Sequence, residues 1–101
     1  MKSIQLKRKE LENHYKKPFF DTIAVGFFVR ILFEPNRYRA CEIVRVKEGV
    51  KSYKFKNETG VTKVITLKYG STEKDYQMCY VSNEPITQVS LFLTFYFLIP
   101  L

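Results

Sequence analysis

Apolar and polar residues alternate with a period of two through much of residues 22–81, which is the pattern of half-buried β-strands. In Lys51–Lys56, Tyr53 and Phe55 share one side, and polar residues occupy the other. The predicted strands are Thr22–Phe33, Tyr38–Val46, Lys51–Lys56, Val61–Tyr69 and Asp75–Val81. The same alternation places together Val61, Ile65 and Leu67 on one strand, and Tyr76, Met78 and Tyr80 on the last. Short strands at this spacing predict a small barrel or a strongly bent sheet.

Turn-forming residues separate these strands. Glu34-Pro35-Asn36, Glu48-Gly49 and Asn57–Gly60 are typical turn sequences, and Gly70-Ser71-Thr72 precedes the last strand. Gly26 interrupts the first strand and predicts a bulge or a close approach of backbone.

The basic segment at residues 2–17 predicts a short helix over Lys7–Tyr15, because it lacks Gly and Pro there. Leu11 and Tyr15, four residues apart, would lie on one helical face. Pro18 is expected to end the helix, since the residue before a proline avoids helical angles. On the residues alone, the whole role of this segment could be that of a solvated basic helix, which Leu6, Leu11 and Tyr15 attach to the sheet. Helix and sheet together predict an α+β fold.

Composition sets the size and charge of the domain. A chain of 101 residues is about one domain, and seven tyrosines with nine phenylalanines are enough to fill a small core. Lys and Arg outnumber Asp and Glu by 17 to 10, giving a net charge of +7. This balance favours an anionic partner: a nucleic acid, a phosphopeptide, an acidic tail or an anionic membrane.

The residues that most enzymes and metal sites require are sparse. His14 is the only histidine, and Cys41 and Cys79 form no CxxC pair, so neither a metal site nor a disulfide scaffold is indicated. The four glycines are scattered singly and form no phosphate-binding loop or nucleophile elbow. The sequence predicts a non-enzymatic binding module without a cofactor, in a reducing compartment.

Arginine set among aromatic residues is the most informative feature. Arg30 interrupts the apolar run Phe27–Ile31, and Arg39 follows Tyr38 on the next predicted strand. A partly buried guanidinium needs an anion or a carboxylate, and its planar fork of donors suits phosphate. Two interpretations are open at this point: an anion site, or internal ion pairs with carboxylates at Glu42, Asp21 or Asp75.

Several runs, in this order and spacing, resemble the Plus-3 domain family. The similarity extends from residue 4 to about residue 87. The runs are Leu6–Glu12, Lys17–Phe20, Val25–Ile31, Tyr38–Ile43, Tyr53, Leu67–Gly70 and Tyr80–Asn83.

The resemblance implies a nuclear module of RNA polymerase II transcription elongation, linked to the polymerase-associated factor complex. It implies a Tudor-like, PAZ-related bent sheet or barrel with flanking helices. Its ligand would be the phosphorylated C-terminal repeats of an elongation factor's large subunit, with single-stranded DNA or RNA as the alternative. The phosphate-binding positions would be Arg8, Arg30 and Arg39, and Tyr80 would pack against the peptide. Val25 replaces a threonine common in the family, which would remove one hydrogen bond to phosphate.

The chain divides into a Plus-3-like domain at residues 1–88 and a tail at residues 89–101. After Glu84 the sequence carries no charge, and the tail has too few apolar residues for a membrane-spanning helix. The tail is expected to be either an atypical closing element of the domain or an artefact, and no membrane partner is predicted.

Overall fold

A computed structural model of the chain describes residues 4–86, which form one open antiparallel sheet with short helices. The strands follow each other in chain order, so every neighbouring pair is a hairpin. The α+β prediction is confirmed, and the sheet is open. The elements are α1 (Arg8–His14), α2 (Phe20–Ile23), β1 (Phe28–Glu34), β2 (Arg37–Phe55), β3 (Glu58–Tyr69), β4 (Thr72–Gln77) and a 3₁₀ helix, η1 (Met78–Tyr80).

Each hairpin turns through a two-residue connection with one residue in the left-handed region. That residue is Asn36 between β1 and β2 (φ 61°), Lys56 between β2 and β3 (φ 58°), and Gly70 between β3 and β4 (φ 64°). Asn and Gly accept this conformation at low cost, which explains why the sequence turns there.

The long strand β2 corrects the prediction of a turn at Glu48-Gly49. The chain remains in the strand through this point, and the pairing with β3 shifts register between Glu48 and Tyr53. A Cβ on Gly49 would lie 3.0 Å from the carbonyl oxygen of Thr62. Gly49 therefore allows close approach of β3 within an irregular strand, and two predicted strands form one bent strand.

The hydrophobic core lies on one face of the sheet. It contains Val29 and Ile31 of β1, Ile43 of β2, and Ile65 and Leu67 of β3, all at most 2% exposed. The predicted face of Val61, Ile65 and Leu67 is confirmed, since all three are buried.

Helix α1 covers part of this core, as the spacing of Leu11 and Tyr15 predicts. Leu11 is fully buried, and the ring of Tyr15 packs edge-on against Phe55, with centroids 5.2 Å apart. The helix ends at His14, ahead of Pro18, and at its start the Glu10 carboxylate accepts a hydrogen bond from the Lys7 backbone N–H at 3.0 Å. The predicted helix is confirmed.

Two short segments, one before the first helix and one after η1, pair with β1. Gln5 forms a parallel bridge with Phe28, and Val81 forms an antiparallel bridge with Ile31. The predicted strand at Thr22–Phe33 is wrong in its first part, because Thr22 and Ile23 belong to α2 and the strand starts at Phe28.

The end of the last predicted strand is also corrected. Strand β4 stops at Gln77, and the chain turns into η1. Met78 is therefore fully buried while Tyr80 is 48% exposed, so the two side chains do not share a face.

The predicted tail at residues 89–101 lies outside the described residues, as does the predicted domain boundary at residue 88. Within residues 4–86, no helix has the length and apolar character that crossing a membrane requires.

Candidate anion-binding site

Arg30 is held in place by two contacts from different parts of the chain. Its guanidinium carbon lies 3.7 Å from the centre of the Tyr38 ring, and its Nη1 donates to Ser82 Oγ at 2.7 Å. Tyr38 reaches it from the facing strand, where it pairs with Leu32. Because Arg30 is partly buried, these contacts orient the guanidinium before any ligand arrives.

Ser82 connects Arg30 to the start of α1. Its backbone N–H donates to the Arg30 carbonyl at 2.8 Å, and its own carbonyl accepts from the Arg8 N–H at 3.3 Å. Its hydroxyl oxygen accepts a second bond, from the Glu84 N–H at 2.9 Å. With two bonds accepted, the hydroxyl retains its proton to donate. Ser82 thus contacts the side chain of Arg30 and the backbone of Arg8.

The Arg8 side chain is only loosely paired. Its Nε lies 3.9 Å from Glu12 Oε2, and the Arg8 side chain is 42% exposed, which makes this a weak ion pair. Arg8 also lies near η1: burial raises the pKa of the Cys79 thiol, and the positive charge of Arg8 acts in the opposite direction. The Arg8 side chain is therefore weakly paired and partly exposed, and lies near η1.

Two of the three carboxylates proposed as internal partners for the arginines pair with lysines instead. Asp21 pairs with Lys63 at 2.7 Å, and Asp75 pairs with Lys47 at 2.7 Å. The hydrogen bonds from Lys47 and then Thr66 lower the pKa of Asp75. Within residues 4–86 neither Arg30 nor Arg39 forms an ion pair with a carboxylate. The internal-bridge interpretation is therefore wrong for the described part of the chain.

Arg39 lies on the opposite face of the sheet from Arg30. The β1–β2 pairing places Arg30 opposite Ala40 and Ile31 opposite Arg39. Since paired residues share a face and successive residues alternate, Arg39 lies on the core face with Ile31. The structure therefore places Arg30 and Arg39 on opposite faces of the sheet.

Tyr80 borders a shallow groove of about 400 Å³ beside β1 and β4. Its ring is 48% exposed, so it does not belong to the core and can contact a ligand. The groove is also lined by Leu32, Phe33, Lys74, Asp75, Tyr76 and Gln77.

Metal-binding and nucleophilic groups are few around this surface. No three His, Cys, Asp or Glu side chains in residues 4–86 are grouped closely enough to hold a metal ion. Burial raises the pKa of the Cys41 thiol to about 11, against the smaller opposing effect of Arg39. This thiol is therefore protonated near neutral pH and is a poor nucleophile.

Two contributors to the site, Ser82 and the Tyr38 ring, were not predicted as site residues. Ser82 lies 52 residues from Arg30 in the sequence, so no local pattern links them. Tyr38 was not predictable from the turn, because the two-residue connection alone would pair it with Phe33. A register shift between Leu32 and Glu34 places it opposite Leu32 instead.

Two comparisons with known proteins extend over most of the chain. The family model described as the Plus-3 domain matches residues 1–91. The RNA polymerase-associated protein RTF1 homolog of Caenorhabditis elegans is 30% identical over 94 residues, covering 88% of this chain. The chain spans about 15% of the length of that relative.

Proposed function

The chain belongs to the Plus-3 domain family, and from this premise we propose that it is a non-enzymatic module that reads phosphopeptides in transcription elongation. Its ligand would be the phosphorylated C-terminal repeats of an elongation factor's large subunit. Arg8 and Arg30 would bind the phosphate, and Tyr80 would pack against the peptide. The proposal includes a Tudor-like, PAZ-related fold for the sheet and its flanking helices.

The observation that carries the proposal is the state of Arg30. Its guanidinium is partly buried, fixed between the Tyr38 ring and the Ser82 hydroxyl, and without a carboxylate partner in residues 4–86. A positive charge held this way costs free energy unless an anion neutralises it. A phosphate accepts the two parallel hydrogen bonds that a guanidinium offers. The Ser82 hydroxyl, which accepts two bonds, can donate its O–H to the same phosphate.

The cellular context follows from the relative rather than from the geometry. The relative's name describes a protein associated with RNA polymerase. We extend this to the present chain as association with the polymerase-associated factor complex and location in the nucleus.

A single-stranded DNA- or RNA-binding domain is the second candidate. Tyr38 is 40% exposed and contacts Arg30, and Tyr80 is 48% exposed and borders a groove that Lys74 also lines. Bases could stack on either ring beside these positive charges. The net charge of +7 favours either ligand and does not discriminate between them.

Matched peptide pairs test the proposal. Binding of a repeat peptide with and without its phosphate is measured by calorimetry, alongside a single-stranded oligonucleotide, over a range of salt concentrations. We expect removal of the phosphate to weaken binding about 10- to 100-fold, the loss of charge-assisted hydrogen bonds.

Equal affinity for the two peptides would contradict phosphate reading. Tight oligonucleotide binding with a steep linear dependence of log affinity on log salt would favour the second candidate. A chain that binds none of the three would be a structural interaction module.

A further inference from the structure

A second cavity, of about 260 Å³, lies at the end of the core face, on the other side of the sheet from Arg30. All four strands contribute to it. Its lining includes Phe33, Arg39, Leu67, Tyr69, Lys74 and Tyr76. The cavity therefore combines two cations with three aromatic rings.

The guanidinium of Arg39 is covered by rings from the strands on either side of β2. Its carbon lies 3.5 Å from the centre of the Phe33 ring, on β1, and 4.5 Å from that of Tyr69, on β3. The five N–H donors of a guanidinium point outward in its own plane. The contacts with the two rings do not occupy these donors with an oxygen acceptor, which leaves them for a ligand.

No acceptor from the described residues satisfies these donors. Within residues 4–86 the Arg39 guanidinium forms neither an ion pair nor a side-chain hydrogen bond. Arg39 is nevertheless partly buried. A partly buried cation with oriented, unused donors is suited to an anionic ligand.

Lys74 supplies a second positive charge to the same cavity. It pairs with Leu67 across β3 and β4, which directs it to the core face, and its ammonium lies 5.5 Å from the centre of the Tyr76 ring. Thr72, also on the lining, adds a hydroxyl group. Among the described residues that line the cavity none carries a carboxylate, so the two positive charges have no acidic partner within that lining.

The cavity adjoins the groove beside Tyr80. Phe33, Lys74 and Tyr76 line both, so the two spaces form one path along the end of the sheet. A peptide that packs on Tyr80 and continues along this path reaches Arg39.

We propose that the cavity around Arg39 and Lys74 is a second oxyanion site, which binds an acidic group carried by the peptide at a distance from its first phosphate. The proposal rests on the proposed phosphopeptide function for the identity of the ligand. The acidic group is a carboxylate side chain or a second phosphate, since both present oxygens to the edge of a guanidinium. Ligands with two correctly spaced acidic groups would bind more tightly than ligands with one.

Small aromatic anions test the site without the peptide. Phenyl phosphate, benzoate and the neutral benzamide are titrated into the chain, and binding is followed by NMR at the Arg39 Nε–H and the backbone amides of Thr72 and Lys74. We expect the anions to shift these signals and benzamide to leave them unchanged. Tighter binding of phenyl phosphate identifies a phosphate site, and equal or tighter binding of benzoate identifies a carboxylate site.

Variants on the two faces separate this site from the first. Arg39→Gln should weaken anion binding at the Thr72 and Lys74 amides about 10-fold or more, whereas Arg30→Gln should leave it unchanged. Lys74→Gln, at an exposed position, should weaken it several-fold and keeps the test valid if Arg39→Gln fails to fold. Lys54→Gln, on an exposed part of β2, is the matched control for loss of one charge.

The site is refuted if neither anion shifts the Arg39 Nε–H, or if Arg30→Gln abolishes the response there. Anion binding at Arg39 in a chain that ignores peptide phosphorylation would overturn the proposed function and leave the second site standing. Phosphopeptide binding without any response at Arg39 would support the proposed function and refute the second site.

Discussion

The two arginines of the β1–β2 hairpin show how similar local chemistry has different consequences on the two faces of one sheet. Arg30 contacts one ring, Tyr38, and donates to Ser82; Arg39 contacts two rings, Phe33 and Tyr69, without donating to a described side chain. Arg30 is fixed by a hydrogen bond that crosses the molecule, whereas Arg39 is fixed by its neighbouring strands.

The difference shows what a partly buried arginine needs in each setting. On the face of Arg30, the segment after η1 and the start of α1 supply polar partners, so several donors converge there. On the core face, Arg39 lies where the apolar core ends, and the rings shield the flat faces of the guanidinium. The first arrangement suits phosphate recognition by several groups, and the second suits a single oxyanion in a cavity.

The largest expected effect is on the free energy of unfolding, and it tests whether the hydrophobic core lies on the face of Ile31. Ile31 is fully buried between Arg30 and Leu32, so Ile31→Ala should lower the free energy of unfolding by about 2–5 kcal/mol. Val50→Ala, at a fully exposed position of β2, should change it by less than about 0.5 kcal/mol. Chemical denaturation measures both, and equal effects would show that the core does not lie on the Ile31 face.

Loss of the arginines near Ser82 should have the next largest effect. Arg30→Ala and Arg8→Ala should each weaken phosphopeptide binding about 10- to 100-fold, because charge-assisted hydrogen bonds are lost. Arg30→Lys should also be impaired, since an ammonium cannot form the bidentate contact. Arg37→Ala, at an exposed arginine of the same hairpin, is the control. Normal binding by both alanine variants would exclude this phosphate site.

Ser82 should contribute less, because it positions Arg30 and donates one bond. Ser82→Ala should weaken phosphopeptide binding about 3- to 10-fold. Ser71→Ala, in the exposed turn between β3 and β4, is the matched serine control and should bind normally. Calorimetry with both variants distinguishes a local role from a general effect of removing a hydroxyl, and identical affinities would remove Ser82 from the site.

Tyr80 should have the smallest effect and no dependence on phosphate. Tyr80→Ala should weaken binding of phosphorylated and unphosphorylated peptides by a similar factor of about 2- to 5-fold, because the ring supplies apolar contact. Its 48% exposure predicts an unchanged melting temperature, which circular dichroism checks. A loss confined to the phosphorylated peptide would instead make Tyr80 a phosphate-binding residue.

The sequence predicts those parts of the fold that local periodicity determines. Leu11 and Tyr15 indicate α1, and alternation in Val61–Tyr69 indicates β3 and its buried side. The continuation of β2 through Gly49 was not predictable, because it depends on the approach of Thr62 from another strand. The 3₁₀ turn that exposes Tyr80 likewise depends on the burial of Met78 in the core.

The candidate site divides in the same way. Arginine set among aromatic residues indicated Arg30 and Arg39, and the family resemblance indicated Arg8, but neither revealed on which face of the sheet each would lie. The separation of Arg39 follows from the register shift between Leu32 and Glu34, because the two-residue turn alone would place Arg39 opposite Leu32 and on the face of Arg30. The role of Ser82 depends on a contact across 52 residues, and a single sequence carries no record of it.

The central claim is that the first phosphate of the peptide is read on the face of Arg30 and not at Arg39, and a thermodynamic cycle that combines each arginine substitution with removal of the phosphate tests it most directly. The affinity ratio of phosphorylated to unphosphorylated repeat peptide is measured for the unaltered chain, for Arg30→Gln and for Arg39→Gln, using peptides with a single phosphate. We expect the ratio to collapse toward one in Arg30→Gln and to keep its full value in Arg39→Gln. A ratio that survives in Arg30→Gln and collapses in Arg39→Gln would contradict the account.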